Sequence, residues 1–123
     1  MESSYRHIDV TVDQDVFCVH LKQPRLEEHE VEEFGKELVS VVKGRGSRKM
    51  VFCFGPNSPQ VLYSVFLAKL VVAHHHLQEL KGCLILCEAN EDIMGVFRAC
   101  KLDSYFEFAP NRATAVATLI HRQ

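Results

Sequence analysis

Hydroxyls, thiols and imidazoles are the side chains through which this sequence could do chemistry, and their spacing limits what that chemistry is. Ser58 and Ser64 lie in the stretch Phe54-Gly55-Pro56-Asn57-Ser58-Pro59-Gln60-Val61-Leu62-Tyr63-Ser64-Val65-Phe66. A serine hydroxyl becomes a nucleophile when an adjacent base takes its proton, and no such nucleophile–base set is evident. The five cysteines, Cys18, Cys53, Cys83, Cys87 and Cys100, are odd in number. Cys18, Cys53 and Cys87 fall inside apolar runs, where a free cysteine behaves as a small hydrophobe. Cys83 and Cys87 bracket Leu84-Ile85-Leu86. A strand would hold that pair on one face roughly 13 Å apart, too far for one metal ion. His74-His75-His76 lies in a helical pattern, where successive residues fan out by roughly 100°, so the three cannot share an ion. His20 reads as a partly buried imidazole with a hydrogen-bond partner. The basic loop with Arg45, Arg48 and Lys49 lacks the spacing of a phosphate-cradling loop. Neither a metal nor a cofactor is expected, and no catalytic activity.

Composition points the same way. A chain of 123 residues suits one domain with a single core, expected to span 1–123. Apolar residues at 47% and charged residues at 24% describe a soluble globular profile rather than a disordered one. A net charge of -2 argues against nucleic acid as a partner, which calls for a basic stripe. The start, Met1-Glu2-Ser3-Ser4-Tyr5, is no apolar leader, and the run from Val61 to Ala73 is too short to span a bilayer. The expectation is a reduced, cytoplasmic protein without a membrane partner.

The elements that must position these residues follow from periodicity. Tyr5 to Val12 alternates, with Ile8, Val10 and Val12 on one face and His7, Asp9 and Thr11 on the other. After the polar turn Asp13-Gln14-Asp15, Val16 to Leu21 forms the second arm of a hairpin. Glu27 to Lys43 sets Val31, Phe34, Leu38, Val41 and Val42 at helical spacing, with Gly44 as the stop and the charged residues as a solvated face. Met50 to Phe54 and Cys83 to Cys87 are apolar throughout, the pattern of strands covered on both faces. Between them a helix from about Pro59 to Leu80 starts on Ser58-Pro59, a cap followed by proline at the first helical position. Its first half is apolar nearly all round, which calls for a second contact beyond the sheet, either a neighbouring helix or a partner chain. Asn90 caps a helix from Glu91 to Cys100, Tyr105 to Phe108 is the last strand, and Ala113 to His121 the last helix. The order β-β-α-β-α-β-α-β-α predicts an α/β domain with a mixed, mostly parallel five-stranded sheet behind an N-terminal hairpin. Strand-to-helix junctions are where binding surfaces form in such domains. That singles out Pro56, Asn57, Ser58, Gln60, Tyr63, Ser64 and Phe66 as the partner-binding residues.

Several strings in this order resemble the STAS domain, the module of bacterial anti-sigma-factor antagonists and of the cytoplasmic tails of sulfate transporters. Pro24-Arg25-Leu26-Glu27 is similar to the family's Gly-Arg-Leu-Asp lead into the first helix, and Val31-Glu32-Glu33-Phe34 through Leu38 to the helix itself. Leu80-Lys81-Gly82 resembles the Gly-Gly turn into the fourth strand. Ala99-Cys100-Lys101-Leu102-Asp103-Ser104-Tyr105-Phe106 is similar to the Ser/Thr-Gly-Leu-x-x-x-Phe pattern, and Ala113 to Leu119 to the closing alanine-rich helix. The resemblance implies four helices lying mainly on one side of the sheet. It also implies a non-catalytic regulator that docks on a protein partner, such as a kinase-like anti-sigma factor.

The same resemblance implies a phosphoacceptor at the start of the second helix, where the family carries Asp-Ser-Ser/Thr-Gly-Leu. Counted back from Gly82, that motif falls on Tyr63-Ser64-Val65-Phe66-Leu67. Ser64 is then the phosphorylation candidate and Ser58 the second. Tyr63 removes the carboxylate, and Phe66 stands where the family has no side chain. A helix beginning at Ser58-Pro59 puts Ser64 more than one turn inside, past the free N–H groups, with its hydroxyl able to bond back to the Gln60 carbonyl. The expectation is a degenerate switch, with partner binding but no control by phosphate at Ser64; a helix beginning near Tyr63 would keep the switch. Two other functions stay open: a scaffold or self-associating module, and a small-ligand-binding α/β domain.

Overall fold

The computed structural model describes residues 5–24, 26–45, 48–55 and 64–122. Its elements are β1 (Ile8–Asp13), β2 (Val16–Leu21), α1 (Glu28–Arg45), β3 (Lys49–Cys53), α2 (Ser64–Glu79), β4 (Cys83–Cys87), α3 (Glu91–Ala99), β5 (Glu107–Ala109) and α4 (Arg112–His121). One sheet holds the strands in the order β1-β2-β3-β4-β5. β1 runs antiparallel to β2, and every later pairing is parallel. The hairpin closes through Gln14 and Asp15, both left-handed at φ 52 and 74. Two such residues make the tight turn whose twist matches the strands it joins.

Alternation along the strands divides the core in two. Phe17, Val19, Met50, Phe52, Leu84 and Leu86 face one side, where α1, α2 and α3 cover them. Cys18, Val51, Cys53, Ile85 and Cys87 face the other, under Ala115, Val116 and Leu119 of α4. Three helices on one face and one on the other agree with helices mainly on one side. The second contact that the apolar surface of α2 required is α1. Phe66 stacks on Phe34 with ring centroids 4.6 Å apart and planes 11° apart. Beside it Gly35 leaves room for the Lys69 stem to cross α1, and the Lys69 ammonium reaches Glu32 at 2.9 Å.

Four local readings need correction. His7 does not sit on the polar face with Asp9 and Thr11. It precedes β1 and is buried, its Nε2 2.8 Å from Glu33 Oε1 and its N–H donating to Glu37 of α1. Val12, on the apolar face by alternation, is 50% exposed at the hairpin end of β1. α1 continues through Gly44 to Arg45. The last strand begins at Glu107, because Tyr105 and Phe106 belong to a turn whose N–H groups both donate to the Leu102 carbonyl.

The ends of α2 and α3 share one geometry. Gly82 N–H donates to the Leu77 carbonyl and Lys81 N–H to Gln78; Leu102 N–H donates to Phe97 and Lys101 N–H to Arg98. Both lysines are left-handed, at φ 62 and 60. This is the Schellman arrangement, whose left-handed position glycine usually takes.

Candidate functional site

The junction singled out by the sequence lies at the C-terminal end of β3, beside the end of β4. Phe54 prolongs the ladder there, its N–H donating to the Cys87 carbonyl at 3.0 Å. Its buried ring meets Phe52 and Phe97 edge-on at 5.2 and 6.0 Å. Gly55 follows, and a Cβ at that position would collide with the Glu88 carboxylate. Glu88 takes φ 61 as the chain leaves β4. Two residues later the Asn90 side chain caps α3 by accepting from the Ile93 N–H at 2.9 Å. In parallel sheets this end of the strands is where connecting loops build binding surfaces.

Of the expected partner-binding residues, Pro56, Asn57, Ser58, Gln60 and Tyr63 lie outside the described residues, and so does a helix start at Ser58-Pro59. Ser64 is the first described residue of α2 and is exposed. Phe66 is corrected: at 1% exposure and stacked on Phe34, its ring fills the α1–α2 interface and offers no surface to a partner.

The three consecutive histidines fan out as helical geometry requires. His74 turns inward, its ring 5.1 Å from Tyr105 and 5.4 Å from Phe106, while His75 is exposed near Glu79. Burial holds the His74 imidazole below its ordinary pKa, and its Nδ1 has no partner. It lines a cavity of about 310 Å³ together with Tyr105, Phe106 and Glu107, near the start of β4 and away from the junction. His20 is half-buried, with Nε2 3.4 Å from Asp9 Oδ2 on the paired strand.

One constellation at the junction escaped the sequence reading. Cys53 and Cys87 are directly opposite in the β3–β4 register, and their sulfurs are 2.8 Å apart. Glu88 brings a carboxylate oxygen within 4.8 Å of both. Spacing along the chain ruled out Cys83 as a close partner of Cys87 but offered no other, because the real neighbour, Cys53, is 34 residues away. The available signal was that both cysteines end apolar strand runs, but the register comes only from strand pairing. The hydrogen bond shared with Cys87 holds the Cys53 thiol below its ordinary value, and the same bond and burial push Cys87 up. All five cysteines are free.

No family model and no curated protein matches the sequence. In three dimensions the chain is similar to solved anti-sigma-factor antagonist structures over most of its length. A STAS-domain anti-sigma-factor antagonist from Planctomyces limnophilus matches with a TM-score of 0.80 at 19% identity, covering 92% of this chain and 97% of that one. An anti-sigma factor antagonist from Mycobacterium paratuberculosis matches at 0.77 and 16% identity, covering 92% of each chain. A chain of the stressosome, a signal integration and transduction hub, matches at 0.68 and 16%, covering 94% of this chain and 100% of that one. The chain has the STAS fold. Among the described residues, no helix is long and apolar enough to cross a membrane.

Proposed function

We propose that this chain is a non-catalytic, cytoplasmic regulatory domain that works by docking on a protein partner, a kinase-like anti-sigma factor, through the end of the sheet where β3 leads into α2. The fold supports this reading, since the structures it resembles are those of anti-sigma-factor antagonists. The docking residues are Pro56, Asn57, Ser58, Gln60, Tyr63 and Ser64, without the interior Phe66. Ser64 is exposed and open to a kinase. Yet Tyr63 replaces the acidic neighbour of the motif, and the Phe66 ring is locked against Phe34 where the motif has glycine. The phosphoswitch is therefore read as degenerate: the partner binds, and phosphate at Ser64 does not control it.

The test captures partners from native lysate and compares wild type, Ser64→Ala and Ser64→Asp for affinity, with phosphosites mapped in native protein. Equal binding by all three and no phosphate on Ser64 support the reading. Unchanged binding by Ser64→Ala, a large loss in Ser64→Asp and phosphate found on Ser64 would show an intact switch. Self-association with no other partner would favour a scaffold, a reading that the likeness to a stressosome chain supports.

A further inference from the structure

Cys53 and Cys87 form a pair that the docking function does not use. Directly paired residues in a sheet send their side chains to the same face. Neighbouring strands hold paired Cα atoms roughly 4.8 Å apart, inside the span of roughly 4.4–6.8 Å that a disulfide bridges without backbone movement. Two thiolates on one tetrahedral zinc ion would stand roughly 3.8 Å apart. At 2.8 Å the two sulfurs are spaced for a bond between them rather than for an ion. We propose that Cys53 and Cys87 are a site of reversible thiol oxidation, closing to a disulfide between β3 and β4 when the protein meets a peroxide.

The surroundings assign the roles. Cys53 is the less covered residue, at 6% exposure against 0% for Cys87. Its thiol is also held below its ordinary value by the hydrogen bond shared with Cys87, and the Arg112 guanidinium at the start of α4 opposes the charge of Glu88. The transverse row continues from Cys53 to His20 on β2 and on to Asp9 on β1, a titratable pair on the same face. Cys18 shares this face but stays protonated, pushed up to about 11 by burial, with its sulfur 3.9 Å from the Val16 carbonyl.

In the first step the Cys53 thiolate attacks one peroxide oxygen, the O–O bond breaks, and hydroxide leaves and takes up a proton. Cys53 is then a sulfenic acid. In the second step the Cys87 sulfur attacks the Cys53 sulfur, the S–O bond breaks, and the departing hydroxide takes the proton that Cys87 loses. Two thiols lose two electrons, and one peroxide becomes two waters.

The test treats native wild type and the Cys83→Ser, Cys100→Ser double variant, which lacks the two more accessible thiols, with hydrogen peroxide. Both are then alkylated in denaturant, digested and mapped by mass. The expected result in both is a linked peptide pair containing Cys53 and Cys87 that dithiothreitol reopens, with loss of two alkylatable thiols, fully recovered, in the double variant. Cys53 and Cys87 still alkylated while methionines oxidise would overturn the proposal. So would zinc that blocks both thiols until it is chelated.

Discussion

Replacing Phe66 by glycine, the residue of the motif that the sequence resembles, should strongly destabilise the protein rather than restore a docking site. The ring is 1% exposed, stacks on Phe34 at 4.6 Å and meets Phe52 edge-on at 6.3 Å. Burying a phenylalanine removes roughly 150–200 Å² from water, about 4–5 kcal/mol at roughly 25 cal/mol per Å². Truncating a core phenylalanine to alanine costs about 3–5 kcal/mol, the cavity included. Glycine in a helix adds up to about 1 kcal/mol. The sum, about 3–6 kcal/mol, reaches the lower end of the total stability of an ordinary domain, about 5–15 kcal/mol. Phe66→Leu keeps most of the volume and loses the stack, so it should cost about 1–2 kcal/mol. Urea denaturation followed by circular dichroism measures both. A cycle combining Phe66→Leu with Phe34→Leu should show coupling of about 0.5–1.5 kcal/mol. A Phe66→Gly protein within about 1 kcal/mol of wild type would refute the interior placement of the ring.

Two further outcomes are expected. Lys81→Gly and Lys101→Gly should each stabilise the protein by about 1 kcal/mol, because a left-handed residue with a Cβ costs about 1–2 kcal/mol and glycine lacks that cost; a fall in the urea midpoint of either variant would contradict the Schellman geometry. His74 should make the fold acid-sensitive: burial holds its folded pKa below the ordinary value, so the unfolded chain takes the proton first. Stability present above about pH 6.5 is then lost as pH falls toward the lower folded value. Denaturation at about pH 7.5 and 5.5 should show a smaller pH dependence in His74→Phe than in wild type, and an unchanged dependence would place the sensitive group elsewhere.

The element order and most helix and strand spans were legible because each is written in local periodicity. Val31, Phe34, Leu38 and Val42 mark the buried stripe of α1 before any tertiary contact is known. Asn90 announced the start of α3, and its side chain caps that helix. The resemblance set Lys81 and Lys101 where similar domains carry glycine, and the backbone at both is left-handed. Phe66 shows the limit of such reasoning. Its identity reads as a bulky residue in a docking motif, and only the approach of α1 reveals that the ring is an interior part of the α1–α2 interface.

His7 and the cysteine pair mark the same limit. Alternation put His7 on an open face, and a chain that bends before β1 brings it onto Glu33 of α1. Spacing along the chain set Cys83 too far from Cys87 and named no partner for it, and strand register pairs Cys87 with Cys53. The sequence by itself determined the order of helices and strands, most of their spans and most of the apolar sides, because those preferences arise within a few residues of backbone. Which apolar sides meet, and which thiol stands 2.8 Å from which, was decided only by the tertiary structure. Contacts across 34 residues depend on the pairing and register of whole strands, and no local window contains that information.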